Sequence, residues 1–183
     1  MRRTVRSGND SCMMSGNFDY AYYNTGTGHL YVVGNTGPAN NTLYQIPVTS
    51  GVMGTSAVTG PVVATNYTNS YYAAGLQVTE FFNSPHDYLF LGVLAFGSPT
   101  TGFCGTASLN QGCVMGFDVT SGTITPATNP TAATAEAGGT SGIVVDNAAL
   151  GGSNIYFSTL LNQTCTTSGG TGGCAIQTLQ VAP

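Results

Sequence analysis

The chain has no lysine and no tryptophan, and charged residues fill only 5% of its 183 positions. An average soluble domain carries about 25%. Arg2, Arg3 and Arg6 are the only permanent cations, so the rest of the chain holds its acids without counter-charge, for a formal net charge of −4. Binding a phosphate backbone needs clustered Lys or Arg, and this composition argues against nucleic acid as a partner. No apolar run approaches the ~20 residues of a membrane-spanning helix. Disorder is ruled out too, because ten Tyr and eight Phe supply apolar area that disordered chains lack. The three arginines are followed by the polar run Ser7-Gly8-Asn9-Asp10-Ser11 rather than an apolar segment, so no export leader is visible. The expectation is that Met1 is not the natural start or that a leader is missing.

What the chain does contain is one pattern, met three times. Strand B reads His29 to Val33, Tyr88 to Val93 and Asn154 to Ser158. After a loop, strand C reads Leu43 to Val48, Val114 to Val119 and Ala175 to Val181. Each hairpin follows an apolar run, strand A: Phe18 to Asn24, Val78 to Asn83 and Ile143 to Asn147. Val48-Thr49-Ser50-Gly51 and Val119-Thr120-Ser121-Gly122 are the same four residues, and glycine there supplies the positive φ of a tight hairpin. A fourth run, strand D, spans Thr55 to Thr65 and Thr123 to Ala135; Pro126 and Pro130 place the latter at a sheet edge.

Gly, Pro and β-branched residues are dense throughout, and the sequence predicts no helix. Repetition at about 60 residues points to stacked β units, none of which buries its faces alone. The expected fold is all-β, built from four-stranded antiparallel blades of a β-propeller. Residues 1–17 form a leader or the remnant of a preceding blade. Residues 18–66 and 67–138 form two complete blades, and 139–183 a third that lacks its outer strand. Three blades do not close a ring. The expected partners are therefore the remaining blades of a longer chain or other copies of this one.

Leu30-Tyr31-Val32-Val33-Gly34-Asn35, a loop, then Leu43 through Val52 resembles the bacterial repeat named for Tyr-Val-Thr-Asn. That resemblance implies a β-propeller, often secreted or surface-anchored. It covers strands B and C in the first two units, with Val-Gly where the family has Thr and with cysteine-bearing loops inserted. The matched residues are structural, so no catalytic residue is carried over. The absence of tryptophan counts against propellers of the WD40 and quinoprotein types.

Two of the three B–C loops contain Cys-x8-Cys: Cys104 with Cys113, and Cys165 with Cys174. Cross-linking the base of a hairpin loop is geometrically easy, and equal spacing in two repeats reads as disulfides formed in an oxidising compartment. Zinc sites use closer Cys spacing, and His29 and His86 fall in A–B turns at the far end of the unit. The expectation is disulfides, no metal, no cofactor and an extracytoplasmic location. Cys12 is left without an assigned partner.

Antiparallel order places the D–A and B–C connections at one end. There Tyr67, Tyr71, Tyr72 and Phe103, with Asn69, Asn110, Gln111 and Asn162, have the chemistry of a site for a glycan or peptide. The same tyrosines also suit a seam between blades, and the sequence leaves both readings open. Among the seven acids, Glu80 and Asp146 fall on neighbouring A strands, where they read as an acid–base pair or as solvated channel lining. No nucleophile, metal or phosphate-loop motif appears. The leading expectation is a non-enzymatic scaffold or ligand-binding segment. The alternatives are a hydrolase or lyase acting on a carbohydrate or lactone, and a truncated reading frame without independent function.

Overall fold

The computed structural model describes residues 15–37, 40–65, 77–93, 111–146, 148, 153–165 and 170–180. The first sheet starts with β1 (Asn17–Phe18), followed by α1 (Tyr20–Thr25), β2 (Thr27–Gly37), β3 (Asn40–Thr49), β4 (Val52–Met53) and β5 (Val58–Thr65). β1, β2 and β3 are neighbours in that order, and β4 and β5 both pair with β3. The second sheet is β6 (Val78–Asn83), β7 (His86–Val93), β8 (Gln111–Asp118) and β9 (Ala132–Ala137), paired in chain order. The third is β10 (Val144–Asp146), β11 (Asn154–Ser158) and β14 (Ala175–Leu179). Between β11 and β14 lies a small hairpin, β12 (Gln163–Thr164) with β13 (Thr171–Gly172). All pairing is antiparallel, and the fold is all-β as expected.

The three sheets share one register. Leu30 stands between Phe18 and Ile46, Leu89 between Glu80 and Phe117, and Ile155 between Val145 and Thr178. Two residues earlier, Gly28 opposes Val48, Asp87 O accepts from Val119 N–H at 2.8 Å, and Ser153 O accepts from Gln180 N–H at 2.8 Å. Ser50 and Gly51 both have positive φ, 50° and 76°, as a two-residue hairpin turn matched to strand twist requires. Gly122, at the same place in the second sheet, has φ 67°.

Side-chain alternation then decides how the sheets stack. Leu89, Leu91, Met115 and Phe117 face the first sheet and pack with Tyr31, Val33, Leu43 and Val63. Tyr88, Phe90 and Val114 face the other way and pack with Ile143, Ile155 and Phe157. The second sheet is thus buried on both faces, which is why β7 from Tyr88 to Val93 carries no alternating polar residues. The first strands of the three sheets also touch. Val78 N–H donates to Ser15 O at 3.3 Å, and Thr79 Oγ1 donates to Ile143 O at 3.2 Å.

The structure corrects the sequence reading at several points. Phe18 to Asn24 is not one strand: Phe18 ends β1, and Tyr20–Thr25 forms α1, a helix the sequence reading excluded. Asp19 caps its N-terminus by accepting from Tyr22 N–H at 2.9 Å. Gly26 ends it in the left-handed region at φ 73°, donating to Tyr22 O at 2.7 Å. These two caps prevail over an aromatic run with strand-like composition. In the second sheet the fourth strand begins only at Ala132; Pro126 lies in a turn closed by Thr128 N–H to Thr125 O at 3.0 Å, and Pro130 follows that turn ahead of the strand. In the first unit Asn35 belongs to β2 and Asn41 to β3, so those strands run on into what the sequence suggested was a loop. His29 and His86 lie within strands β2 and β7 rather than in turns.

Candidate functional site

The polar centre of the described molecule lies in the seam between the first two sheets, at the end carrying the A–B connections. The tight turn between β6 and β7 opposes Glu80 to Leu89 and Phe82 to Asp87. With a side-chain period of two, Glu80 and Asp87 then share the face that meets the first sheet. Asp87 is buried and ties the sheets together: its Oδ2 accepts from Tyr20 N–H at 2.8 Å, while its own N–H donates to Thr120 Oγ1 at 2.8 Å. Tyr20 stacks on Phe82 with ring centroids 3.7 Å apart. The start of α1 is thereby docked on the second sheet.

Asp19 stands on the other side of the seam, nearly fully buried. Besides capping α1, it accepts from His29 N–H at 3.0 Å and meets His29 Nδ1 at 2.7 Å. Gln45 Nε2 donates to the Tyr31 hydroxyl and to Gly122 O, both at 2.8 Å, which ties the first sheet to the hairpin turn of the second. A second histidine–carboxylate pair, His86 Nδ1 with Asp118 Oδ2 at 2.9 Å, lies within the second sheet. Burial alone would raise the Asp118 carboxyl, but Thr120 and His86 outweigh it and hold the group below its usual range.

The Glu80 carboxyl is pushed up to about 8, first by burial, then by hydrogen bonding with and the charge of Asp87, then by the charge of Asp19. Burial raises Asp87 as well, while the Tyr20 N–H and Glu80 favour its ionised form. Neighbouring carboxyls in a half-buried seam do not both ionise readily. Glu80 is therefore the member of the pair that resists ionisation near neutral pH. Asp87 Oδ1 is buried with no hydrogen-bond partner among the described residues. Chemically the arrangement can hold and release a single proton around neutral pH. Among the described residues no group of three or more His, Cys, Asp or Glu is placed to hold a metal ion.

Glu80 and Asp146, paired in the sequence reading, are not brought together. Asp146 lies on the face of the third sheet opposite to the Val145–Ile155 face that packs on the second sheet. It accepts from Ala148 N–H at 2.7 Å and from the Tyr156 hydroxyl at 3.3 Å. Cys165 and Cys174 form a disulfide with Cα atoms 5.6 Å apart, at the base of the loop as the spacing suggested. Cys113 is also disulfide-bonded. Cys104 and Cys12 lie outside the described residues, as do Tyr67, Asn69, Tyr71, Tyr72, Phe103 and Asn110. Gln111 opens β8 opposite Ala137, and Asn162 is exposed just before β12.

Sequence reasoning missed Asp19 and Asp87 as partners of Glu80. The signal was present in part. The six-residue step from Asn83 to Leu89 fixes the hairpin register and hence the face shared by Glu80 and Asp87. Asp19 comes from another sheet, and no local pattern announces it. No helix among the described residues is long and apolar enough to cross a membrane. Comparison of the chain with protein-family models, with curated proteins and with solved structures finds no match.

Proposed function

We propose that this chain is a segment of an extracytoplasmic β-propeller, acting as a non-enzymatic scaffold whose B–C end presents a ligand-binding surface. The observation that carries this reading is the common register. Leu30, Leu89 and Ile155 occupy corresponding positions, and the second and third sheets each turn that side toward the sheet before them. Contact between the first strands of successive sheets supports a radial arrangement of the kind propellers use. The Cys165–Cys174 disulfide supports an oxidising compartment. In this reading the Glu80–Asp87 pair is a joint between blades. Asp87 is committed to a backbone N–H of α1, and the carboxyl beside it keeps its proton, an arrangement suited to holding a seam.

The test is an array of neutral glycans and of peptides probed with the whole chain. The expected result is saturable binding that Tyr71→Ala and Tyr72→Ala weaken while the melting temperature is unchanged. Absence of binding on every array removes the ligand-binding half of the proposal. Binding indifferent to both substitutions moves it away from these residues.

A further inference from the structure

The third strand of each sheet is the place where an outer strand is added. β5 lies against β3, and β9 lies against β8. β14 is their counterpart in register, and among the described residues nothing pairs with its outer side. The phase of its hydrogen bonds follows from two contacts: Thr159 N–H donates to Cys174 O at 2.9 Å, and Gln180 N–H to Ser153 O at 2.8 Å. Antiparallel ladders alternate bonded and outward-facing residues. Cys174, Ile176, Thr178 and Gln180 are therefore engaged with the β11 side. Ala175, Gln177 and Leu179, all exposed, turn their N–H and C=O groups to the open edge. In the second sheet the residue equivalent to Gln177 is Gly116, whose carbonyl accepts from Thr131 N–H at 2.8 Å as β9 begins.

The ground beside this edge is shaped accordingly. A cleft of about 40 Å³ runs between β14 and the β8–β9 pair, and its walls include Tyr88, Phe90, Val114, Ile155 and Thr178. None of these is charged. The Tyr88 hydroxyl is buried and has no hydrogen-bond partner among the described residues. An unpaired edge over an uncharged cleft is a template for an incoming strand.

We propose that the β14 edge is a strand-addition site that takes an extended, uncharged peptide segment with small side chains, antiparallel to β14, in the position β9 occupies on β8. β9 shows the chemistry that fits, since Ala132, Ala133, Thr134 and Ala135 are small and neutral. The proposal rests on the register and the open edge, not on the propeller reading, so failure of the glycan array, or binding indifferent to Tyr71→Ala and Tyr72→Ala, leaves it standing.

The test is amide hydrogen exchange of the whole chain with a capped synthetic peptide copying residues 131–135, which carry no charge. With peptide in about tenfold excess over its dissociation constant, exchange at Ala175 and Gln177, the counterparts of Val114 and Gly116 on β8, slows about tenfold. Ile176 and Thr178, already bonded to β11, are unchanged. Gln177→Pro removes one outward N–H and spares the β11 ladder, as an edge strand tolerates; it abolishes the slowing. A peptide N-methylated at alternate residues gives none. Unchanged exchange at Ala175 and Gln177 overturns the proposal, as does uniform slowing along β14 or equal protection by the N-methylated peptide. Protection that rises with protein concentration alone assigns the edge to a second copy and overturns the peptide assignment.

Discussion

Replacing Glu80 by glutamine removes one proton equilibrium and keeps the shape of the side chain, so it isolates what the carboxyl contributes to the seam. In the folded chain Glu80 keeps its proton up to about pH 8, whereas its ordinary value is 4.5. Between these values unfolding releases a proton, so raising the pH favours the unfolded chain. The stability tied to this group is fully present below pH 4.5 and falls as pH climbs through 8. The whole shift would correspond to about 5 kcal/mol at ~1.4 kcal/mol per pH unit. The carboxyl is only half-buried, and solvent screening reduces this to about 1–2 kcal/mol. For a chain of this length that is about 2–8 °C in melting temperature.

The assay is thermal or urea unfolding of the parent and Glu80→Gln from pH 5 to pH 9. Glu80→Gln is expected to match the parent within about 0.5 kcal/mol at the acid end. At the alkaline end it should be the more stable protein by the 1–2 kcal/mol estimated above. His29, His86, Asp19, Asp118 and Tyr31 are common to both proteins, so the difference between the curves belongs to Glu80 and its coupling to Asp87. Parallel curves, or a variant that loses stability at pH 9 as the parent does, would refute the assignment of the proton to Glu80.

Removing the loop staple with Cys165→Ala and Cys174→Ala together should lower stability by about 2–3 kcal/mol, read from the urea midpoint, because the cross-link closes a short loop. An unchanged midpoint would count against it. Asp19→Ala should cost about 1–2 kcal/mol through the lost cap of α1, with Asp19→Asn costing less because it still accepts from Tyr22 N–H; equal losses would contradict capping. Gly112→Ala should destabilise by about 2–3 kcal/mol, since the added methyl would meet the backbone of Gly139 and Val93 O. A neutral result there would refute the close approach of β8 to that backbone.

Strands B and C were legible because their apolar runs are bounded by matched turns. The repeated Val-Thr-Ser-Gly anchors Val48 and Val119 at the same register, and counting back from it brings Leu30 and Leu89 into correspondence. Asn154–Ser158 was placed to the residue, since its alternation of Ile155 and Phe157 with polar neighbours is unambiguous. The helix was not legible from composition. Tyr20-Ala21-Tyr22-Tyr23 looks extended, and only the cap chemistry of Asp19 and Gly26 at its ends decides otherwise. The hairpin of β12 and β13 is two residues on each side, too short to leave a periodic signal. The seam was half legible. Register alone puts Glu80 and Asp87 on one face, but that Asp19 and Tyr20 arrive from the first sheet is a fact of stacking. For the same reason Asp146 looked like a partner for Glu80: neighbouring strands were inferred correctly, and the direction each side chain takes from its sheet was not.

The central claim is that three corresponding hairpins repeat one register, and proton–proton proximity tests it most directly. The hydrogen-bond phase makes Tyr31 with Gln45, Phe90 with Gly116, and Tyr156 with Gln177 the wide-ring pairs, in which facing α-protons nearly touch. A nuclear Overhauser spectrum should show a strong α-proton cross-peak for each of the three. A cross-peak displaced by one residue in any sheet, such as Tyr156 with Ile176, would contradict the shared register.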